Sequence, residues 1–363
     1  MADNESILNA DSMAFLERYL NNASPTGYES AGQKLWMEYL APYVDDFITD
    51  AYGTAVGVIN PDADYKVVIE GHADEIGWYV NHITDKGLIY VLRNGGSDHQ
   101  IATSKRVNIH TANGPVEGVF GWPAIHTRNP GNEKAPTKDN IFVDVGAASK
   151  EEVEQMGIHP GCVLTYPDEF SVLNGNKFVC RAIDNRIGGF MIAEVARLLL
   201  ESGNKPNFGL YIVNAVQEEV GLKGATMIAE RIKPDVAIVT DVTHDTSTPM
   251  IEQTTHGSTK IGDGPVIAYA PAVQNKLREH LIATAERENI PFQRQARAPA
   301  TGTDTDAFAY SNQGVPSALI ALALRYMHTT VEMVHRDDVE DVIRLMYEGV
   351  RGIESGTTFS YFE

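Results

Sequence analysis

Three stretches of this chain, 210–216, 236–239 and 318–324, are almost uninterrupted apolar runs, each followed within two residues by a charged side chain. Runs this short with no polar face read as strands covered on both sides, which requires helices above and below a largely parallel or mixed sheet. The surrounding sequence supplies those helices. Residues 186–201 set Ile187, Met191, Val195 and Leu198 on one helical face, and 338–352 do the same with Val339, Val342, Ile343 and Met346. Nearer the N-terminus, a helix is expected over 12–22. A second follows the turn Ser24-Pro25-Thr26-Gly27, with Leu35, Trp36, Tyr39 and Leu40 at helical spacing. Two β-branched runs, 55–59 and 67–69, flank the turn Asn60-Pro61-Asp62. Alternation of this kind predicts an α/β class with helices on both faces of the sheet.

Between about 78 and 165 the rhythm changes to many short β-prone pieces broken by Gly, Asn, Asp and Pro, the spacing of a small barrel or a sandwich. One helix is expected inside it, opened by a Ser149/Glu152 capping box and stopped near Gly157. A chain of 363 residues is long for one domain. The natural division is a discontinuous α/β domain, 1–74 with 172–363, interrupted by a β-rich insertion over 75–171.

Apolar content of 43% with 21% charged residues is that of a folded globular protein. A net charge of −20 opposes binding to phosphate backbones, so nucleic acid is not an expected partner. Two cysteines, Cys162 and Cys180, are too few for a disulfide framework and fit buried thiols in a reducing compartment. Met1 to Ser6 lack the basic and apolar segments of a secretory signal, and the apolar run 318–324 falls far short of a membrane span. The expectation is a cytoplasmic protein without a membrane partner.

In open α/β sheets the reacting groups collect at the carboxyl ends of strands. Here those ends are rich in metal-ligating side chains. The run 67–69 leads to His72-Ala73-Asp74-Glu75, and 210–216 to Gln217-Glu218-Glu219. The run 236–239 leads to Thr240-Asp241, and 318–324 to Arg325-Tyr326-Met327-His328. Asp184 stands where the helix of 186–201 begins. Imidazole and carboxylate donors suit Zn²⁺ or Co²⁺, and one bridging carboxylate lets five ligands hold two ions. An Asp at a helix start is suited to bridging, held by backbone N–H groups with its free lone pairs toward the metals. Asp74, two residues from His72 on extended chain, points to the same side and is expected to orient that imidazole. Glu218 and Glu219, adjacent in extended chain, diverge, so one can bind metal while the other serves as general base.

Together these segments resemble the M42 family of co-catalytic metallo-aminopeptidases, which includes glutamyl and deblocking aminopeptidases and whose members were formerly often labelled endoglucanases. The resemblance spans nearly the whole chain. It rests on His-x-Asp-Glu-x-Gly at 72–77, Asp-Asn-Arg-x-Gly at 184–188, Gln-Glu-Glu-Val-Gly-x-x-Gly-Ala at 217–225, Asp241-Val242-Thr243, Gly302-Thr303-Asp304 and Arg325-Tyr326-Met327-His328. The resemblance implies a mixed-sheet α/β/α metallopeptidase domain with an inserted small β-barrel, and dimers that assemble into tetrahedral dodecamers. It implies that His72, Asp184 and Asp241 hold one ion, that Asp184, Glu219 and His328 hold the other, and that Glu218 is the base acting on peptide substrates. Two departures stand out. Asn185 replaces a frequent second Asp, and Gly121-Trp122-Pro123-Ala124-Ile125-His126 lacks the lysine of a Lys-Pro-x-His-like stretch.

Each motif also has an ordinary reading. A lone strand-end His is commonly structural, Glu218-Glu219 a solvated acidic pair, Asp184 a helix cap, and Thr303-Asp304 a loop former with Asp304 supporting the site. Histidines outside the motifs, His244 among them, read as structural or surface residues. Paired carboxylates would also suit a glycoside hydrolase, which needs no metal, and the fold alone would suit a noncatalytic peptide-binding scaffold.

Overall fold

A computed structural model describes residues 6–131 and 133–362. The N-terminal stretch read for a signal lies largely outside the described residues. An eight-stranded mixed sheet forms the centre, in the order Asp46–Thr49, Ala55–Ile59, Gly209–Ala215, Lys66–His72, Val236–His244, Ser317–Leu324, Val266–Tyr269 and Gln293–Ala296. The four middle strands, Gly209–Ala215 to Ser317–Leu324, run parallel, so their carboxyl ends share one edge. The outer pairs include antiparallel neighbours.

Both faces of the middle strands are apolar because alternate side chains feed two separate cores. Val67, Ile69, Leu210, Ile212, Ile238 and Ile320 pack on one side with Phe15, Trp36, Phe190 and Met346. Val68, Val213, Val239 and Leu319 pack on the other with Ile228 and Phe308. The first core is covered by helices Ala10–Asn21, Ser30–Leu40, Ile183–Glu201, Asn275–Arg287 and Arg336–Arg351, and the second by Lys223–Ile232 and Asp304–Ala309. This is the expected α/β/α layering. Helix Asn275–Arg287 and the two outer strands after residue 265 carry weaker periodicity and were not among the expected elements.

A closed six-stranded barrel, built between Gly77–Ile83 and Val163–Thr165, encloses its own core around Trp78, Phe120 and Leu164. The barrel alternative therefore holds over the sandwich. Its helix, Lys150–Gln155, has the Ser149 hydroxyl accepting from the Glu152 N–H, while the Glu152 carboxylate accepts from Ala148 N rather than from the capping residue itself.

The longest helix reaches the sheet through glycine. A Cβ at Gly71 would lie 2.7 Å from the backbone carbonyl carbon of Gly188 and 3.0 Å from Gly189 N, so helix Ile183–Glu201 rests directly on the strand that ends in His72. This contact sets the start of the helix over the strand ends. Replacing Gly71 with Ala forces two backbones apart and is expected to destabilise the chelated protein by about 1–3 kcal/mol in urea unfolding, the usual range for overpacking. A wild-type midpoint would show that the helix is not seated by this contact.

Candidate metal centre

At the shared carboxyl edge, His72, Asp184, Glu218, Glu219, Asp241 and His328 converge from segments up to 256 residues apart in sequence. Three trios bring potential ligand atoms within 4.8 Å of one another: His72 with Asp184 and Asp241, Asp184 with Glu219 and His328, and His72 with Glu218 and Glu219. Asp184 belongs to the first two. These two trios coincide with the ligand sets that the family resemblance implies.

His72 ends its strand, almost fully buried, with Nδ1 3.3 Å from an Asp74 carboxylate oxygen and 3.2 Å from the Asp74 carbonyl. An Nδ1–H that donates there leaves the Nε2 lone pair toward Asp184 Oδ1 at 3.4 Å and Glu218 Oε2 at 3.8 Å. Asp74 does more than its spacing suggested. Its carboxylate also accepts from the backbone N–H groups of Glu218 (3.0 Å) and Glu219 (3.2 Å) and from the Thr26 hydroxyl (2.8 Å).

Glu218 and Glu219 diverge, but not because they are extended. They open a short 3-10 turn, Glu218–Val220, after Gln217 at φ +58°, and that turn sends Glu218 toward His72 and Glu219 toward His328. Asp184 likewise departs from the expected cap. Its own dihedrals (φ −72°, ψ 112°) lie outside the helix, and its carboxylate meets His72 Nε2 and His328 Nε2 (3.2 Å) rather than backbone N–H groups. Asn185 is the residue that caps: its Oδ1 accepts from Gly188 N and its Nδ2 donates to the Thr240 carbonyl at 2.8 Å. A carboxylate at 185 could not make the second bond, so the departure from the family pattern has a local use.

His328 leaves its strand through two left-handed residues, Tyr326 (φ +62°) and itself (φ +60°). Non-glycine residues in that region are sparsely populated and persist where the surroundings hold them. The holding group is Glu332, buried, whose carboxylate accepts from both His328 N (2.7 Å) and Asp184 N (2.9 Å). Sequence reasoning missed Glu332. The available signal was a lone acidic residue in the apolar stretch Val331-Glu332-Met333-Val334. Glu70 was missed too. It is buried beside Asp304, and none of the four carboxylate oxygens receives an N–H or O–H from the described residues. Burial raises Glu70 to about 8 and Asp304 well above its usual range.

The electrostatics of the donor set test whether cations fit. Burial lifts Glu218 to about 10 and Asp241 to about 7, reinforced by neighbouring carboxylates (Asp241, Asp304 and Glu219 for the first, Asp184 for the second). Burial would lower both imidazoles, yet Asp184 with Asp74 raises His72 well above its usual range, and Asp184 with Glu219 raises His328 to about 11. The pocket is thus crowded with carboxylates whose mutual repulsion a positive charge would relieve. Buried imidazole and carboxylate donors in this arrangement fit divalent metal.

The cleft over this cluster has a volume of about 370 Å³. Beyond the ligands its wall includes Thr243, His244, Gln295, Arg297, Thr303 and Met327. His244, exposed as expected of a surface histidine, borders the cleft. The stretch from Gly121 to His126 does not line this cleft; Trp122 and Pro123 border a separate hollow on the barrel. A larger groove of about 1180 Å³ runs past Tyr65, Pro234 and Pro316, at the amino ends of the parallel strands, and includes none of the ligand trios.

The family model for M42 glutamyl aminopeptidases matches residues 53–345. The chain belongs to that family. Among curated relatives it is 31% identical to the lysyl aminopeptidase of Pyrococcus furiosus over 338 residues, covering 91% of this chain and 94% of that one. The fold matches a TET aminopeptidase from a marine sediment thaumarchaeon with a TM-score of 0.90 at 30% identity, covering 95% and 97% of the two chains. It also matches the TET1 peptidase of Pyrococcus horikoshii, at TM-score 0.83 and 25% identity over 94% and 100%, a protein that assembles into a tetrahedron or a large octahedral shell. This enzyme is accordingly a peptidase, and the glycosidase and noncatalytic readings fall away. No helix among the described residues is long and apolar enough to cross a membrane.

Replacing Asp74 with Ala removes the acceptor for two ligand-bearing backbone segments and the partner of His72 Nδ1. Such supporting carboxylates typically govern metal affinity by about 10–100-fold, and a loss of that size in Zn²⁺ affinity is expected by competition with a chromophoric chelator. Unchanged affinity would contradict the supporting role.

Proposed function

We propose that this aminopeptidase removes the first residue of peptides using two divalent cations, Zn²⁺ or Co²⁺, held by His72, Asp184 and Asp241 on one side and by Asp184, Glu219 and His328 on the other. The observation that carries the reading is the pair of ligand trios sharing Asp184, with the Glu218 carboxylate left over beside His72. When bound, the ions polarise the scissile carbonyl and acidify the attacking water. Glu218 then takes the water proton on its free carboxylate oxygen and delivers it to the leaving amine, each transfer within reach of a side chain anchored through its own N–H to Asp74. Asp74 also holds His72 in the tautomer that presents Nε2. Partial enclosure of the cleft limits competing water around these charges.

The wall beyond the ligands favours an acidic first residue. Arg297 is its one cationic Lys or Arg side chain. Three of the five guanidinium N–H groups bond Gln295 Oε1, the Thr301 carbonyl and the Val242 carbonyl, leaving two uncommitted. Gln295 Oε1 accepts from both Arg297 and the Thr243 hydroxyl, which fixes the amide so that its NH₂, without a protein partner, is free to donate to a carboxylate. The family name includes glutamyl substrates, whereas the Pyrococcus furiosus relative is named for lysyl ones. The charge of this wall supports the former.

The same reading makes the enzyme a cytoplasmic homo-oligomer. Two free, buried thiols suit a reducing compartment. Residues 75–171 are the proposed assembly domain, supported by the exposed apolar side chains of Leu92, Val119 and Ile125 on or beside barrel strands.

Two outcomes are expected. After chelation and reloading with Zn²⁺ or Co²⁺, Glu218→Gln binds as much metal as wild type but loses about 10²–10⁴-fold in kcat on a peptide substrate; near-wild-type turnover would remove Glu218 from the proton path. Arg297→Met lowers kcat/KM for a glutamyl nitroanilide by about 10–100-fold relative to a leucyl one, the worth of one charged hydrogen bond. An unchanged ratio would place the acidic-residue contact elsewhere.

A further inference from the structure

The barrel reaches the metal centre through the loop Asn94-Gly95-Gly96-Ser97, between the barrel strand Ile89–Asn94 and the short helix His99–Ala102. The loop is anchored on both sides. Asn94 Nδ2 donates to the Thr26 carbonyl at 2.8 Å, and the Ser97 hydroxyl to the Gly77 carbonyl at 2.6 Å, with both residues buried.

Between these anchors, two glycines press on two ligands. A Cβ at Gly96 would stand 2.4 Å from His328 Nδ1 and 2.5 Å from His328 Cε1. Gly96 does not occupy the left-handed region, so its conformation does not require glycine and the imidazole does. A Cβ at Gly95 would stand 3.2 Å from Glu219 Cβ and 3.0 Å from Ile76 Cγ2, and Gly95 also has φ +73°, which favours glycine independently. The nearest atoms at these two positions belong to Ile76, Glu219 and His328, and to neither His72 nor Asp241. Both ligands backed by the loop fall in the trio Asp184, Glu219 and His328.

We infer that Gly95 and Gly96 are positioning residues for one ion of the pair: the loop acts as a backstop that holds His328 and Glu219 against Asp184, so the barrel governs this ion's site and leaves that of His72, Asp184 and Asp241 independent. The imidazole is pinned from two directions. Glu332 holds the backbone N–H of His328, and Gly96 closes the space behind Nδ1, the ring nitrogen that faces away from Asp184. With the ring confined, Nε2 has one direction in which to point. A methyl group at 96 would occupy the ring's place and drive Nε2 off the ligand position. This inference rests on the two-ion reading.

The test is metal stoichiometry and affinity, read by titrating chelated protein with Co²⁺ and following both bound metal and the visible absorption of each site. Wild type should take up two ions. Gly96→Ala should keep the first at wild-type affinity and weaken the second by about 10–100-fold or more, the effect expected when a ligand loses its orienting contact. A double-mutant cycle separates the ring contact from general damage to the loop. In a His328→Asp background, where no ring fills the space, Gly96→Ala should leave metal affinity and the urea midpoint unchanged, even if the single variant fails to fold. Wild-type affinity at both sites in Gly96→Ala, equal weakening of both, or the same harm in the two backgrounds would each overturn the inference. Uptake of fewer than two ions by wild type would instead sink the two-ion reading on which it stands.

Discussion

The constraint from which the rest follows is electrostatic: four acidic side chains and two imidazoles are forced together in a largely buried cleft, at distances where carboxylates repel unless something positive lies between them. Burial strengthens every such repulsion because the surrounding medium screens poorly. A chain could avoid this only by keeping the groups apart, and here the fold does the reverse. Parallel alignment puts His72 and Asp241 on neighbouring strands at one edge, and the glycine contact of Gly71 with Gly188 lowers Asp184 onto them. Each of these arrangements opposes folding in the absence of cations and favours it in their presence, so metal affinity and native stability are linked.

Holding such a cluster requires that the ligands be fixed through their backbones as well as their side chains. Asp74 and Glu332 do this in the same manner. Each is a buried carboxylate that accepts two backbone N–H groups from ligand-bearing segments: Glu218 and Glu219 in one case, Asp184 and His328 in the other. A carboxylate accepting charged hydrogen bonds is a stronger clamp than a neutral carbonyl. The left-handed conformations of Gln217 and His328 occur next to these bonds, which involve the backbone N–H groups and leave the donor side chains free.

The fold was legible in the sequence where a side-chain period was strong. The runs 210–216 and 318–324 and the helix face of Ile187, Met191 and Val195 announce buried strands and a covering helix, and the observed elements begin within about three residues of the expected bounds. The clustering of donor side chains was legible because they followed strand ends. What could not be read was how the backbone turns there. Spacing placed Glu218 and Glu219 on extended chain and Asp184 in a helix cap, whereas a 3-10 turn and an unwound first turn aim them, and both depend on contacts with Asp74 and Glu332 that are remote in sequence. Arg297 and Gln295 gave no signal at all, since an edge strand of alternating polar residues resembles any solvated edge until its neighbours are known.

The place of the barrel in the chain has a physical consequence of its own. The chain leaves the central sheet at His72, passes Asp74 and Glu75 into the barrel, and comes back through a small separate sheet, Lys177–Cys180 with Glu332–His335, just before Asp184. Ligand-bearing segments thus flank the neck through which the barrel is attached. At that neck Glu75 and Arg181, both buried, form an ion pair with Arg181 Nε 3.1 Å from Glu75 Oε2, while Glu75 Oε1 accepts from Ser24 N at 2.7 Å. A buried pair of this kind contributes little net stability against an apolar alternative, but losing either partner strands a charge away from water. Its effect is therefore to make one arrangement of the departing and returning strands far better than any other. With the neck held in this way, the barrel bears on the donor cluster through the glycine loop, where Gly95 and Gly96 meet Glu219 and His328. The positions of Glu219 and His328 are consequently as well defined as the joint between barrel and sheet, whereas His72 and Asp241 are set by the parallel strands themselves.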